Sequence, residues 1–245
     1  MKKVVLITGS SSGIGRSTAI EFAKNDYNVV ITYNNSEKEA YKLESELKEK
    51  YDTNSLVIKL DICDENSIKN CVEKTIGKFG KIDVLVNSAG IAIDTIYEDK
   101  NKYNFMKILE VNTVGTFLMC KYVSPYMLKE KMGNIVNISS TNGMETTYIE
   151  SLDYDASKAG VISLTKNLSR EYAPYIRVNT VCPGWVNTRM NKDLDGDFVK
   201  KEIDKIYLKR FAEPEEIAKV IYFLSTDSAS YVNNSIIRVD GGTNN

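Results

Sequence analysis

Short apolar segments alternate with amphipathic segments along the whole chain. Seven segments rich in β-branched residues are nearly continuously apolar: 4–8, 28–33, 55–60, 82–87, 134–139, 176–181 and 235–239. Such segments are typical of strands buried on both faces of a sheet. The stretches between them follow a helical pattern, for example 36–50 and 65–77. Strands that alternate with helices predict a parallel sheet with right-handed crossovers.

The number and spacing of these segments predict one domain over residues 1–245. No internal repeat, low-complexity tract or proline-rich linker divides the chain, which has only four prolines. The predicted fold class is therefore α/β, a Rossmann-type doubly wound sheet of seven mainly parallel strands flanked by helices.

The helical stretch 103–129 differs from the others because its apolar residues occur nearly all round. A helix packed on a sheet needs only one apolar stripe, so a second surface is expected to cover the far side. A second subunit is the preferred interpretation, and the stretch would then contribute to a homotetramer. Cover by the protein's own loops is the alternative.

The composition narrows the possible chemistry. The 245 residues include no histidine, which excludes a Ser-His-Asp triad, a histidine-ligated zinc site and an imidazole pH switch. No metal site is expected. Lysine and arginine (32) nearly balance aspartate and glutamate (33), so the charge predicts neither a nucleic-acid partner nor an anionic membrane partner.

The cysteines and the start of the chain bear on location. Four cysteines without a Cys-x-x-Cys pair are typical of buried free thiols in a reducing compartment. The apolar run after Met1-Lys2-Lys3 is too short for a signal peptide or a membrane span. We therefore expect a cytoplasmic protein.

A glycine-rich turn follows the first predicted strand and reads Thr-Gly-Ser-Ser-Ser-Gly-Ile-Gly-Arg over residues 8–16. Glycines let the backbone approach a pyrophosphate, whose charge is favoured at the N-terminus of the following helix. A glycine turn alone is weak evidence, but its place after the first strand favours a dinucleotide site.

The end of the second predicted strand indicates which dinucleotide binds. NAD sites usually carry an acid there for the ribose 2′-hydroxyl, but residues 32–36 have none and the first acid is Glu37. Arg16, beside the third glycine, could pair with a 2′-phosphate. NADP(H) is therefore the preferred cofactor and NAD(H) the alternative, while an ordinary solvated Arg16 remains possible.

Tyr154 and Lys158 lie four residues apart and share one face of a predicted helix. A free tyrosine has a pKa of about 10, and a neighbouring ammonium stabilises the phenolate. Such a tyrosine can act as a general acid or base, a role that histidine often takes. On its own, the pair is more often an ordinary surface pair.

Motifs in a fixed order make the chain resemble the short-chain dehydrogenase/reductase family over nearly its whole length. They are the turn at 8–15, Asp61-Ile62, Asn87-Ser88-Ala89-Gly90, Asn112, Ser140, Tyr154 with Lys158, the segment 183–188 and the segment 238–242. Serine stands at position 88 where the family usually has a second asparagine. The resemblance implies a nicotinamide-dependent oxidoreductase acting on ketones or secondary alcohols.

The resemblance also implies a role for each matched residue. Tyr154 would donate the proton, Ser140 would bind the substrate oxygen, Lys158 would lower the tyrosine pKa and bind ribose, and Asn112 would hold a relay water. A helix asparagine that only bonds backbone is the alternative for Asn112. The implied cofactor-binding residues are Gly9, Ser11, Ser12, Gly13, Ile14, Gly15, Arg16, Asn34, Ser36, Asp61, Ile62, Asn87, Ala89, Gly90, Tyr154, Lys158, Pro183, Gly184, Val186 and Thr188.

Ser139 is an alternative to Ser140, since the two are adjacent and the interval from Ser140 to Tyr154 is one residue longer than is usual in the family. Ser140 is preferred because neighbouring residues of a strand point to opposite faces.

The substrate is less constrained. Within the family the chain most resembles 3-oxoacyl-[acyl-carrier-protein] reductases of fatty acid biosynthesis, which implies an acyl-thioester substrate. It lacks basic residues that such enzymes carry before Asp94 and near 173–176. A sugar, polyol, steroid or other neutral alcohol therefore remains an alternative, and a non-catalytic cofactor-sensing protein ranks lower. Substrate contacts are expected from segments 141–153 and 188–208, including Met144 and Tyr148, and from Trp185.

Overall fold

The computed structural model describes residues 2–145, 148–192 and 194–243. Thr146, Thr147 and Asp193, which belong to the two predicted substrate segments, lie outside the described residues. The strands are β1 (Val4–Thr8), β2 (Asn28–Tyr33), β3 (Ser55–Lys59), β4 (Val84–Asn87), β5 (Gly133–Ile138), β6 (Ile176–Pro183) and β7 (Ile236–Val239). They form one sheet in the order β3-β2-β1-β4-β5-β6-β7, and every neighbouring pair is parallel. The prediction of a seven-stranded doubly wound sheet is confirmed.

Helices cover both faces of the sheet. Within the described residues they are α1 (Gly13–Lys24), α2 (Glu37–Tyr51), α3 (Glu65–Phe79), α4 (Lys102–Leu109), α5 (Gly115–Lys129), α6 (Leu152–Glu171), α7 (Gly196–Lys205) and α8 (Pro214–Leu224). None of these is both long and apolar enough to cross a bilayer.

Strand β1 shows how the two cores arise. All five of its residues are buried, and alternate side chains enter opposite layers. Val5 and Ile7 join the core beneath α1, α2 and α8, which includes Phe22. Val4 and Leu6 join the core beneath α3 and α5. The continuous apolar runs in the sequence are thus explained by burial on both faces.

The strand order reverses between β1 and β4, since β2 and β3 lie on one side of β1 and β4 to β7 on the other. At such a switch point, ligands of doubly wound sheets bind in the crevice outside the carboxyl ends of the strands. The turns that follow β1 and β4 are joined there, because the Thr8 hydroxyl accepts hydrogen bonds from the backbone N–H groups of Ser88 and Ala89, each at 3.0 Å.

The stretch 103–129 is not one regular helix. A π-helical turn, Glu110–Val114, separates α4 from α5. Insertions of this kind are rare and are often found at functional sites. Apolar side chains of this stretch remain exposed: Tyr103 and Met106, which border the cleft, and Val114, Phe117 and Leu128, which do not. The protein's own described loops do not cover them, which disfavours the loop alternative.

Candidate active site

A cleft of about 1610 Å³ opens at the carboxyl ends of the strands. Nearly all the residues predicted for the site line it, from the glycine turn after β1 to the segment after β6. The exceptions are Arg16, Asn87, Asn112 and Met144. The structure therefore brings together groups that are up to 179 residues apart in the chain, from Gly9 to Thr188.

The glycine turn is shaped by close backbone contacts. Gly9 has φ of +65°, and a Cβ there would lie 2.9 Å from the Ala89 Cα. A Cβ on Gly15 would lie 2.4 Å from the Gly9 carbonyl oxygen. Neither position can take a side chain without moving the backbone, so glycine is required at both.

The N-terminus of α1 faces this turn with free hydrogen-bonding capacity. Ser12, the residue before the helix, makes no side-chain cap, and the first turn of α1 contains no acid. The first N–H groups of a helix lack partners within it and attract anions. The turn and the helix end therefore fit the pyrophosphate of a dinucleotide.

The end of β2 forms the part of the cleft where an adenosine ribose would lie. Asn34 and Ser36 line the cleft there, opposite Asp61 and Ile62. Glu37, the nearest acid in sequence, accepts a hydrogen bond from the Tyr33 hydroxyl at 2.8 Å. Glu37 does not line the cleft, so the described end of β2 presents no carboxylate to a ribose 2′ position.

Arg16 lies outside the cleft lining. Its guanidinium pairs with the carboxylate of Glu46 on α2. Hydrogen bonds from Lys50 and the charge of Arg16 hold the pKa of Glu46 below its usual value, against the opposing effect of burial, so the carboxylate is charged. Contact between Arg16 and a 2′-phosphate stays a prediction, and it requires this pair to open or share the guanidinium.

The segment after β6 forms another part of the cleft wall. Gly184 lies against the turn after β7, since a Cβ there would be 2.7 Å from the Asp240 Cβ and its N–H donates to the Val239 carbonyl at 3.0 Å. Pro183, Val186 and Thr188 line the cleft beside it, the region predicted to hold the nicotinamide.

Asn87 does not reach the cleft. Its side chain is buried inside the sheet and donates to the side-chain amide oxygen of Asn137 at 2.8 Å. Ala89 and Gly90, two and three residues later, do line the cleft. The motif therefore combines one asparagine that joins β4 to β5 with a turn that borders the cofactor region.

Tyr154 and Lys158 lie in the first two turns of α6, at the centre of the cleft. The Lys158 Nζ is 5.6 Å from the centre of the Tyr154 ring and donates to the Ile138 carbonyl at 2.9 Å. The Ser140 hydroxyl hydrogen-bonds with the Tyr154 phenol. The three predicted side chains thus meet at one point beside the end of β5.

Burial controls the protonation of this pair. It raises the pKa of Tyr154 to about 12, with the Ser140 hydrogen bond acting in the opposite direction. It lowers the pKa of Lys158 to about 8. We expected Lys158 to lower the tyrosine pKa, but in the protein alone desolvation dominates. The phenol is therefore protonated at neutral pH, the form that can donate a proton.

Ser139 and Ser140 have separate partners. The Ser139 hydroxyl is buried and donates to the Lys158 main-chain carbonyl at 2.8 Å. Ser140 faces the cleft and the Tyr154 phenol. Opposite sides of the extended chain explain the difference. The geometry supports Ser140 as the residue that faces a substrate oxygen.

Asn112 lies in the π-helical turn, below the cleft. Its side-chain oxygen accepts from the Ile91 N–H at 2.8 Å, and its amide donates to the Ile91 carbonyl and the Ser157 hydroxyl, each at 2.9 Å. Both N–H groups of the amide are used within the protein. The amide thereby fixes the loop after β4 to α6, while the water-holding role of Asn112 stays a prediction.

A hydrogen-bond network that was not predicted connects Ser140 to α6, the helix that contains Tyr154. The Asn142 backbone N–H donates to the Ser140 hydroxyl at 3.2 Å, and the Asn142 side chain donates to the Asp155 carboxylate at 2.7 Å. Ser151 donates to the same carboxylate oxygen at 2.9 Å. Asp155 follows Tyr154 directly, and this adjacency was the available signal.

The outer wall of the cleft contains the predicted substrate residues Tyr148 and Trp185. Met144, the third, is 42% exposed and does not line the cleft. The wall also contains Phe198 of α7, which lies within the predicted substrate segment 188–208.

Comparison with known proteins gives a consistent assignment. The model of the family described as "Enoyl-(Acyl carrier protein) reductase" matches residues 9–244. The chain is 40% identical over 243 residues to the 3-oxoacyl-[acyl-carrier-protein] reductase FabG of Thermotoga maritima, covering 98% of this chain and 97% of that protein. It is 36% identical to the FabG of Staphylococcus epidermidis over 99% of both chains.

Solved structures agree over the full length. A dehydrogenase/reductase from Sinorhizobium meliloti superposes with a TM-score of 0.94 at 30% identity, covering 99% of this chain and 95% of that one. A structure described as ElxO with NADP bound superposes with a TM-score of 0.91 at 35% identity over 98% of both chains. These matches, the sheet order and the Ser140–Tyr154–Lys158 geometry establish that the chain is an oxidoreductase of the short-chain dehydrogenase/reductase family.

Proposed function

We propose that this enzyme reduces the 3-oxo group of an acyl thioester with NADPH. The observation that carries the proposal is the meeting of Ser140, Tyr154 and Lys158 beside a dinucleotide-shaped cleft. Full-length similarity to proteins named 3-oxoacyl-[acyl-carrier-protein] reductase supports the substrate class.

The roles follow from the local geometry. A bound nicotinamide would supply the hydride. Tyr154, protonated at neutral pH, donates its proton to the substrate oxygen, and Ser140 hydrogen-bonds that oxygen as charge develops. Lys158 places a positive charge beside the phenol and can re-orient from the Ile138 carbonyl toward a ribose hydroxyl. The Asn112 amide keeps the loop after β4 fixed to α6.

Two observations support NADPH over NADH. The cleft wall at Asn34 and Ser36 presents no free carboxylate that would bind a 2′-hydroxyl and repel a 2′-phosphate. A relative of similar fold is described with NADP bound. Arg16, which is paired with Glu46, is the guanidinium proposed for the 2′-phosphate.

An assay of purified enzyme tests the function. NADPH oxidation is followed with acetoacetyl and 3-oxooctanoyl N-acetylcysteamine thioesters, with sugars, polyols and a 3-ketosteroid at equal concentrations, and with NADH replacing NADPH. We expect the thioesters to have the highest kcat/KM. Faster turnover of a sugar, polyol or steroid would replace the proposed substrate class. Cofactor binding without turnover of any of them would favour the sensing alternative.

We also propose that the enzyme is a homotetramer of the cytoplasm. The exposed apolar side chains of Phe117 and Leu128 on α5 supply a surface that a second copy can bury. The described cysteines are all free, as suits a reducing compartment. Sedimentation equilibrium of the wild type and of Phe117→Glu tests the assembly. A wild-type monomer would contradict it.

A further inference from the structure

A buried carboxylate lies on an otherwise exposed helix at the mouth of the cleft. Glu202 is 3% exposed and is the one buried residue of α7, all of whose residues the structure describes. Carboxylates are rarely buried unless they are paired. Glu202 lies four residues after Phe198, so both occupy the face of α7 that is turned toward the cleft.

Three donors satisfy this carboxylate. One oxygen accepts hydrogen bonds from the Tyr148 hydroxyl and from the Trp185 ring N–H, the latter at 3.1 Å. The other accepts from the Lys205 Nζ at 2.7 Å. Although burial favours the neutral form, these hydrogen bonds hold the pKa of Glu202 below its usual value. Glu202 thus joins α7 to the segments that carry Tyr148 and Trp185.

Two of the donors, Tyr148 and Trp185, form with Phe198 an aromatic group at the cleft, called here the aromatic roof. Their rings contact edge to face, with centroids 5.6 Å apart for Trp185–Phe198 and 6.1 Å apart for Tyr148–Phe198. Phe211 stacks behind Trp185 at 5.5 Å. Such arrangements are favourable beyond simple burial.

The roof presents hydrocarbon to the cleft for a specific reason. Tyrosine and tryptophan each carry one polar group, and here Glu202 binds both of them on the side of α7. What remains facing the cleft is ring surface, continued by Met190 and Leu194. An apolar substituent can pack against this surface, whereas hydroxyl groups would lose water there without finding a partner.

We propose that Glu202 is a specificity-determining residue, which positions the aromatic roof so that the cleft accepts a substrate with an apolar chain beside its carbonyl. The inference rests on the proposed function and extends it to a residue that does not touch substrate itself. Without the carboxylate, the Tyr148 hydroxyl and the Trp185 N–H would lack this acceptor, and only the ring contacts of Phe198 and the weaker Lys205–Tyr148 hydrogen bond would connect α7 to the two loops.

Glu202→Gln and Glu202→Ala test this, with Asp204→Asn as the matched control, because Asp204 is an exposed acid on the same helix. We expect Glu202→Ala to raise KM for the 3-oxooctanoyl thioester about tenfold more than KM for acetoacetyl. Glu202→Gln, which keeps one acceptor oxygen, should recover part of this preference. Asp204→Asn should leave it unchanged. An unchanged chain-length preference in Glu202→Ala would overturn the inference.

A second readout does not depend on turnover. The chain has one tryptophan, so its fluorescence reports on Trp185 alone. We expect Glu202→Ala to shift the emission maximum toward that of exposed tryptophan, and Tyr148→Phe to produce a smaller shift. If Glu202→Ala does not fold, Tyr148→Phe must still raise KM for the 3-oxooctanoyl thioester. Identical emission in both variants and wild type would overturn the roof geometry. Inactivity of the wild type on every thioester would instead overturn the proposed function.

Discussion

The cleft has two regions that are built in different ways. In the cofactor and proton-transfer region, backbone groups fix the positions: Gly9 lies against Ala89, Lys158 donates to the Ile138 carbonyl, and Ser139 donates to the Lys158 carbonyl. In the mouth of the cleft, side chains bind side chains, as Glu202 binds Tyr148 and Trp185. The backbone at the strand ends therefore positions the groups for proton transfer, whereas side-chain contacts at the mouth determine which substrates enter the cleft.

The largest expected effect concerns the first region. Tyr154→Phe removes the proton donor but keeps the ring, and we expect kcat to fall by about 10²–10⁴-fold, the usual contribution of general acid catalysis. Steady-state NADPH oxidation with acetoacetyl thioester measures it. The affinity for NADPH, measured by its fluorescence, should stay within about twofold of wild type because the glycine turn is untouched.

Tyr154→Phe also tests whether the two regions act independently. Its residual activity should keep the wild-type order of preference between short and long thioesters, since the aromatic roof is intact. A changed order would mean that Tyr154 also selects the substrate, and the two regions would not be separable. Near wild-type kcat would remove Tyr154 from the mechanism.

A smaller effect is expected when Lys158 is replaced, and it is an increase in the free energy of unfolding. Folding lowers the pKa of Lys158 to about 8 from its ordinary 10.5, so the unfolded chain holds more protons between those values and this residue's contribution to stability rises with pH there. At pH 7 the buried charge is destabilising. We expect Lys158→Met to be inactive yet more stable than wild type at pH 7, by about 2 kcal/mol.

Urea unfolding of both proteins at pH 7 and at pH 9.5 measures this difference. The advantage of Lys158→Met should shrink at the higher pH, where wild-type Lys158 is already neutral in the folded protein. Equal pH dependence of the free energy of unfolding in the two proteins would show that folding does not lower the pKa of Lys158. The catalytic region would then have no stability cost at this position.

The two regions also differ in how far the sequence predicts them. Backbone-defined features leave a local signal, such as the glycines at 9, 13 and 15 or the four-residue interval from Tyr154 to Lys158. The seven strands were predicted because burial on both faces leaves continuous apolar runs. Most strand ends coincide with the predicted ones and the others differ by one or two residues; β4 begins at Val84 rather than at Ile82.

Contacts between distant side chains leave no such signal. The sequence placed Met144 at the substrate, but its side chain is exposed, because a loop position alone does not determine its direction. It gave no role to Glu202, although an acid four residues after Phe198 on an amphipathic helix was a usable hint. The π-helical turn at Glu110–Val114 was also not predicted, and Asn112 within it binds Ile91, which is 21 residues away in the chain.

The smallest effect is expected from a side-chain contact inside the cofactor region, where backbone groups otherwise fix the positions. Glu46 competes with a 2′-phosphate for the Arg16 guanidinium. The pair is partly exposed, and pairs of this kind contribute about 1 kcal/mol or less. We therefore expect Glu46→Gln to lower KM for NADPH by up to about fivefold and to leave KM for NADH unchanged.

The ratio of kcat/KM for NADPH and NADH measures this effect, with Arg16→Ala as the companion variant. Arg16→Ala should weaken NADPH binding, and Glu46→Gln should have no further effect in its presence, because the two changes then act through one guanidinium. Additive effects of the two substitutions would show that Glu46 acts through the general negative field of α2 instead. If the ratio is unchanged in both variants, recognition of the 2′-phosphate belongs to Asn34 and Ser36 at the end of β2. Cofactor selection would then depend on the position of this strand end and not on the contact between Arg16 and Glu46.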